Sequence, residues 1–589
     1  MAEITDGTAD GTADGAEAGT TAGPAAGVEN GRGAGGGYSR GLGARQVQMI
    51  AIGGAIGTGL FLGAGGAIHQ AGPGLLAMYA LAGAAVFCIM RALGELLAYR
   101  PAPGSFADYA REFLGPFAGY VTGWTYWLMW VVTGMAEVTA AAAYLAYWWP
   151  QVPRWAAALG FLVLLLAVNF LSVGVFGEVE FWLSTVKVTA IVGMILVGLA
   201  VLLLGVSSAG STASVGHLWR EGGFFPHGVG QALLTLQMVT FAYLAVELVG
   251  VTAGEARDPR RTLPRAINTL PWRIGLFYVG SLAVILCVVP WTAFQPGTSP
   301  FVAAFARIGI PLGAGVVNLV VLSAALSSCN SGMYSTGRML RDLGVNGQGP
   351  RAFTKLSARR TPARGTLASV AAMGVGVWVN YVDPAGAFTY ITAFATVAAV
   401  WTWGVILVAH IRYRAAVRAG RAAAAWFTAP GGAAASWAAL AFLALVVVVV
   451  AIDAQARVSL YGAPLWAALL AVGYRALRRR SPAAFARPRT CRPGGSRTRS
   501  RTGPWTRRRT RSPSRPPTRS PTRSRTPSPP DRVPRQPARS PTGSSTGSPA
   551  RSAARSPARS PTRAPTTTLI RWPEHRCGSR RAPVTLPAC

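Results

Sequence analysis

From Val47 to Leu477 the chain alternates long apolar stretches with short polar connections. The hydrocarbon of a bilayer is about 30 Å thick, and a helix needs about 20 residues to cross it. Stretches of that kind predict twelve spanning helices, at 47–68, 75–97, 117–146, 155–175, 185–206, 230–254, 274–293, 311–336, 366–382, 385–410, 434–452 and 460–477. The expected fold class is therefore an all-α integral membrane protein.

Loop charge orients the spans, because Lys and Arg near helix ends stay on the cytoplasmic side. Basic residues gather in every second loop: Arg100 and Arg111; Arg257, Arg260, Arg261, Arg265 and Arg273; Arg338, Arg341, Arg351, Lys355, Arg359, Arg360 and Arg364; Arg412, Arg414, Arg418 and Arg421. The connection after the fourth span, read as a loop holding Glu178 and Glu180, breaks the alternation. An even number of spans places both termini in the cytoplasm, and the setting is the cell membrane.

Composition changes the picture at the two ends. Of 589 residues, 51% are apolar and 13% charged, against about a quarter charged in an ordinary soluble chain. Residues 1–40 are small and polar, too poor in apolar surface to offset ordering entropy, so a disordered cytosolic arm precedes the membrane domain at 41–480. This arm has neither the basic nor the apolar region of a signal peptide. The net charge of +35 is concentrated in residues 481–589, an Arg/Ser/Pro/Thr-rich tail with SPTRS and SPARS repeats. Three readings of that tail compete: electrostatic binding of nucleic acid or anionic lipid, an inert disordered extension, and out-of-frame translation of a GC-rich gene. The last is preferred, so no nucleic-acid partner is expected. The six Cys show no C-x-x-C spacing, and His217 and His227 have no ligand spacing, so neither a metal nor a cofactor is expected.

The first span reads GGAIGTGLFLGAGG from Gly53. Each interior glycine costs a helix roughly 1 kcal/mol relative to alanine. An unwound turn at mid-membrane would expose amides to a carboxylate and free carbonyls to an ammonium. Close packing through small residues is the competing reading, but glycine on one face would suffice for that and here it lies on all faces. A dinucleotide fingerprint is excluded, since Leu62 stands where its third glycine belongs.

RQVQMIAIGGAIGTGLFLGAG, FGEVEFWLSTVKVTAI, ELVGVTAGEARDPRRTLPRAIN and SSCNSGMYSTGRML together resemble the bacterial amino acid transporter branch of the amino acid, polyamine and organocation permeases. The resemblance runs nearly without gaps from residue 40 to 480. It implies two inverted five-helix repeats with broken first and sixth helices, two further helices, and alternating access coupled to proton entry. It also implies a backbone cradle for the substrate at Ala55, Gly57, Thr58 and Gly59 in the first span and at Phe241, Ala242, Tyr243 and Leu244 in the sixth. Phe241 would be the aromatic gate. Ala245 stands where relatives commonly have Gly, and Leu244 is bulkier than the Gly some carry.

Glu137, Lys187 and Glu247 lie inside apolar stretches, where a central charge costs on the order of 3 kcal/mol and marks function by default. Each also has a structural reading: Glu137 as a carboxyl bonded across helices, Lys187 as a snorkelling side chain, Glu247 as a structural carboxyl. The resemblance favours gating for Glu247 and proton coupling for Lys187. Glu95 and Arg91 read as a structural pair at a helix end, and the Glu255–Asn268 segment as an anchor of the sixth span.

These observations point to a secondary active transporter, not an enzyme, that imports an amino acid with protons. LQMVTFAY resembles proline carriers and SSCNSGMYSTGRML also resembles carriers of alanine, serine and glycine, so the expected substrate is neutral: proline or a small amino acid. A non-transporting membrane sensor or scaffold, and a membrane-tethered protein acting through its basic tail, are the alternatives.

Overall fold

The computed structural model describes residues 56–100, 106–170, 173–205, 207–208, 211–248, 259–309, 312–357, 361–480 and 482–485. The arm 1–40, Ala55, residues 255–258 and the tail from 486 lie outside the described residues. Everything described belongs to the first of two units, Met1–Arg497.

In chain order the helices are α1 (Ala64–Ala71, preceded by a π-helical stretch Gly59–Gly63), α2 (Leu75–Tyr99), α3 (Phe106–Phe113), α4 (Pro116–Leu145), α5 (Arg154–Asn169) and α6 (Val173–Leu203). After a small antiparallel pair, β1 (Ser207–Ser208) and β2 (Ser211–Thr212), come α7 (Gly228–Leu234), α8 (Leu236–Ala242), α9 (Pro259–Asn268), α10 (Leu270–Ile274) and α11 (Ser281–Val288). The remainder is α12 (Pro300–Ile308), α13 (Gly313–Val345), α14 (Ala363–Val382), α15 (Ala387–Arg418), α16 (Gly432–Ile452) and α17 (Val458–Arg480).

Among the described residues, ten helical runs are long and apolar enough to cross a membrane. The difference from the twelve expected spans has two local causes. The first two merge into one 41-residue run, Gly59–Tyr99, interrupted by a short 3-10 turn at Gly72–Gly74 where Gly72 takes φ 60° and ψ −149°. The fourth, expected over 155–175, is the shorter helix Arg154–Asn169.

A correction concerns the supposed loop holding Glu178 and Glu180. It is helical: α6 starts at Val173, and Glu180 is buried within it. The helix tolerates this carboxylate because it accepts hydrogen bonds from Ser184 Oγ at 3.2 Å, Ser327 Oγ at 2.6 Å and Asn330 Nδ2 at 3.4 Å.

Burial ranks the spans by position. In α4 83% of the apolar window is buried inside the protein, whereas in α17 it is 6%, so α4 is central and α17 peripheral. Small residues let neighbours approach α4 closely, the packing mode available where lipid removes any hydrophobic drive between helices. A Cβ on Gly134 would lie 2.7 Å from Met373 Cε, and one on Gly376 would lie 2.6 Å from Met135 Cβ, so α4 and α14 exchange a glycine for a methionine in both directions.

At the end of α2, Glu95 does not pair with Arg91. Its carboxylate takes a two-pronged contact from Arg414 at 2.9 and 2.7 Å, the amide of Ala429 at 2.7 Å and His410 Nε2 at 3.1 Å. Arg91 instead donates to Asn268 Oδ1 and to the Thr428 carbonyl, with its guanidinium 4.3 Å from the centre of the Phe427 ring. The two arginines thus tie α2 to α9, to α15 and to the segment that leads into α16. Arg414→Ala should lower the melting temperature in detergent by the equivalent of about 2 kcal/mol, because it strips the main partner from a carboxylate that stays buried. Arg414→Lys, which keeps the charge but loses the planar fork, should recover only part of that loss.

Candidate functional site

The two glycine-rich and aromatic segments singled out in the sequence meet face to face. Helical geometry on the first span begins at Thr58, after a bend at Ile56, and continues as the π-helical stretch Gly59–Gly63. On the sixth, α8 ends at Ala242 and Tyr243–Val246 form a run of turns. There the amides of Tyr243, Leu244, Val246 and Leu248 bond carbonyls three residues back, at 3.1, 3.0, 3.3 and 3.1 Å. The unwound turn centres on Ala245, whose φ of 74° is left-handed and which costs a residue with a Cβ roughly 1–2 kcal/mol. No glycine stands at this position, and the backbone breaks all the same.

Carbonyls at the start of the first helix and at the turn after α8 find side-chain donors. Lys187 Nζ lies 3.5 Å from the Ile56 carbonyl, and Tyr278 Oη donates to the Ala242 carbonyl at 3.1 Å. Tyr243 turns away from the first span: its hydroxyl donates to the Tyr79 carbonyl at 2.9 Å, and its ring packs 4.7 Å from that of Tyr278.

Between the breaks lies a cavity of about 10 Å³, room for about one water. It is lined by Gly57 and Gly59, by Phe241, Ala242, Leu244 and Ala245, and by Thr133, Glu137 and Ser328. Of the residues expected at a substrate cradle, Gly57, Gly59, Phe241, Ala242 and Leu244 are on its wall. Thr58 is buried beside Glu137, and Tyr243 belongs to the tyrosine cluster behind the wall. Phe241 also packs edge-on against Phe388 at 6.2 Å, so the ring closes the cavity toward α15.

The three charges divide between the breaks. Glu137 is on the cavity wall and its Oε2 has no hydrogen-bond partner. Lys187, fully buried, stands at the first break and faces both Glu137 and Glu180. Glu247 follows the second break, outside the cavity. Neither of its oxygens makes a hydrogen bond of good geometry, and polar groups nearby include the Trp403 indole, the Tyr126 hydroxyl and the backbone around Ala245. His217 and His227 each bond a backbone carbonyl through Nδ1, at 3.0 Å to Cys287 and to Gln70.

Sequence reasoning missed Thr133, Ser328 and Glu180. Thr133 stands one turn before Glu137, and Ser328 belongs to the polar run SSCNS inside an apolar span. Glu180 falls between the spans expected at 155–175 and 185–206, where Glu178 and Glu180 interrupt the apolar run.

The two cradle glycines differ in what a side chain would meet. A Cβ on Gly59 would lie 2.5 Å from Ala242 Cα, backbone that cannot yield, whereas one on Gly57 would meet Glu137 Oε1 at 2.7 Å and Ser328 Oγ at 3.4 Å, both on side chains able to move. Gly57→Ala should therefore fold with a near-normal melting temperature and lose most uptake, and Gly59→Ala should lose both. Ala245→Gly should gain about 1 kcal/mol of stability by relieving the left-handed alanine, read as a higher melting temperature.

The amino acid permease family model matches residues 46–486. An amino acid permease of Bacillus subtilis strain 168 is 48% identical over 435 residues, covering 74% of this chain and 94% of that protein. The L-asparagine permease of Salmonella typhimurium is 45% identical over 447 residues, 75% of this chain and 90% of its own. The D-serine/D-alanine/glycine transporter of Escherichia coli K12 is 45% identical over 438 residues, 74% of this chain and 93% of its own. The chain belongs to the amino acid permease family, and it is a multi-pass membrane transporter and not an enzyme.

Proposed function

We propose that this permease imports a neutral amino acid by proton symport, through twelve spans in two inverted five-helix repeats plus two helices, with both termini in the cytoplasm of a cell-membrane protein. The observation that carries the reading is the cavity held between two helix breaks. An amino acid presents a carboxylate and an ammonium about one peptide unit apart. The amides that open the first helix at Gly57–Gly59 suit the carboxylate, and the carbonyls released at Phe241–Leu244, with Glu137 opposite, suit the ammonium.

Neutral side chains fit the remaining wall. Its polar groups are the hydroxyls of Thr133 and Ser328, no cation lines it for an acidic substrate, and Phe241 and Leu244 restrict its size. Small or amide side chains are therefore favoured, in keeping with the names of the L-asparagine and D-serine/D-alanine/glycine relatives, and proline remains within the same size class. Entry of any of them requires Phe241 and Leu244 to move, because the enclosed space is far smaller than an amino acid. That is the arrangement of an occluded carrier.

Coupling is assigned to Lys187. Its ammonium, held at the Ile56 carbonyl, braces the first break, and loss of the proton would release that brace. A proton shifts an inward–outward equilibrium only through different affinities for the two states, and a contact made to a moving break provides the difference. Glu247, just past the second break, is assigned to gating.

The full chain in proteoliposomes tests both parts. A competition panel of the twenty amino acids should show inhibition by small neutral ones and none by Arg, Lys, Asp or Glu; preferential inhibition by a charged amino acid would contradict the substrate reading. Lys187→Ala should lose accumulation driven by an imposed pH gradient while retaining exchange of internal for external substrate. Accumulation at the wild-type level in that variant would remove Lys187 from the coupling step.

A further inference from the structure

The buried carboxyl of Glu180 belongs to no part of the cavity wall, and yet both of its oxygens are held by side-chain donors. Three donors converge on it: Ser327 Oγ at 2.6 Å and Ser184 Oγ at 3.2 Å on Oε1, and Asn330 Nδ2 at 3.4 Å on Oε2. Asn330 is itself oriented by Asn169 Nδ2, which donates to its Oδ1 at 2.8 Å. The Asn330 amide can only donate and both serine hydroxyls are able to, so the surroundings offer donors to both oxygens of Glu180. Both serines and Asn330 are buried as well.

Glu180 and Lys187 are seven residues apart on α6, two turns along one face. Helical side chains lean toward the N-terminus, so the Lys187 chain leans back toward Glu180. The other acidic group facing the ammonium is Glu137 from α4. α11, packed on another side of α6, carries no charged residue, and the charge of α5, Arg154, is bonded to the Pro384 carbonyl at its far end. Two carboxyls of unlike surroundings thus act on one ammonium: Glu180 has donors at both oxygens, whereas the Oε2 of Glu137 has no hydrogen-bond partner and Glu137 lines the cavity.

We infer that Glu180 is a positioning residue for coupling: clamped to α13 by Ser327 and Asn330, it is the permanent counter-ion of Lys187, and this leaves Glu137 free to meet the substrate's amino group or a proton. The inference rests on the reading of Lys187 as the coupling group. It adds that the counter-charge of Lys187 comes from Glu180 on its own helix, held in place by α13, and not from the cavity. A buried ammonium that loses its dedicated counter-ion binds its proton less readily, so uptake should then need a more acidic medium.

The test uses full-length protein in proteoliposomes with radiolabelled glycine and L-proline as probes, measuring exchange and proton-driven accumulation across external pH. Glu180→Gln should keep exchange and move the pH of half-maximal accumulation toward acid by about one unit, the size of one neighbouring charge. Ser327→Ala keeps every charge and should leave that midpoint in place while slowing uptake. Lys187→Ala separates the two readings: if it still accumulates substrate, the coupling assignment fails, whereas if it does not and Glu180→Gln has the wild-type midpoint, the counter-ion inference fails. Should Glu180→Gln not fold, the double variant Glu180→Gln/Lys187→Met decides, because removing both charges relieves an unpaired ammonium. Recovery of folded, exchanging protein supports the pairing, and no recovery overturns it.

Discussion

In hydrocarbon, a backbone amide or carbonyl that leaves a helix can be satisfied only by other protein groups, and each one left bare costs several kcal/mol. A helix broken at mid-membrane therefore has to be surrounded by donors and acceptors brought from other spans. Much of the interior answers that demand. Lys187 reaches from α6 to the Ile56 carbonyl, and Tyr278 reaches from the stretch before α11 to the Ala242 carbonyl. Because the donors come from helices that are themselves packed elsewhere, neither break can shift without disturbing them. Motion at the site is thereby linked to the rest of the bundle.

The same constraint accounts for the buried charge. An ammonium brought to a free carbonyl has to be neutralised, which places carboxylates on α4 and α6. Those carboxylates need donors in turn, and Ser327 and Asn330 on α13 provide them for Glu180. The unmet part of this chain of demands falls at the cavity, where the Oε2 of Glu137 has no partner. A binding site in a membrane carrier is, on this account, the place where the satisfaction of polar groups is left incomplete for a substrate to finish. The Glu95–Arg414–His410 cluster shows the opposite case, a buried carboxylate whose partners are all supplied internally and which holds elements together.

What could be read from the sequence follows from this physics. Hydropathy located the spans because a membrane crossing demands an unbroken apolar run, and it failed at their edges. Gly59–Tyr99 runs through the Gly72–Gly74 turn without losing helical hydrogen bonding on either side, and a polar residue such as Glu180 can lie inside a span when its partners are there. On the first span the glycine-rich segment is where the described helix begins, at Thr58. On the sixth span no glycine marks the turn, and the left-handed Ala245 has no signal in the local pattern. Thr133, Ser328 and the Glu95–Arg414 pairing depend on which helices become neighbours, over separations in the chain as long as the 319 residues between Glu95 and Arg414. Local pattern carries no information at that range.

The central claim is that substrate binds between the two breaks. The direct measurement is an experimental structure of the full-length protein with a transported amino acid bound in a lipid nanodisc. The account predicts the carboxylate of the ligand at the amides of Gly57–Gly59, its ammonium against the Phe241–Leu244 carbonyls and Glu137, and the rings and methyls of Phe241 and Leu244 displaced outward. An amino acid bound elsewhere in the bundle, with the cavity between the first and sixth spans unchanged, would contradict it.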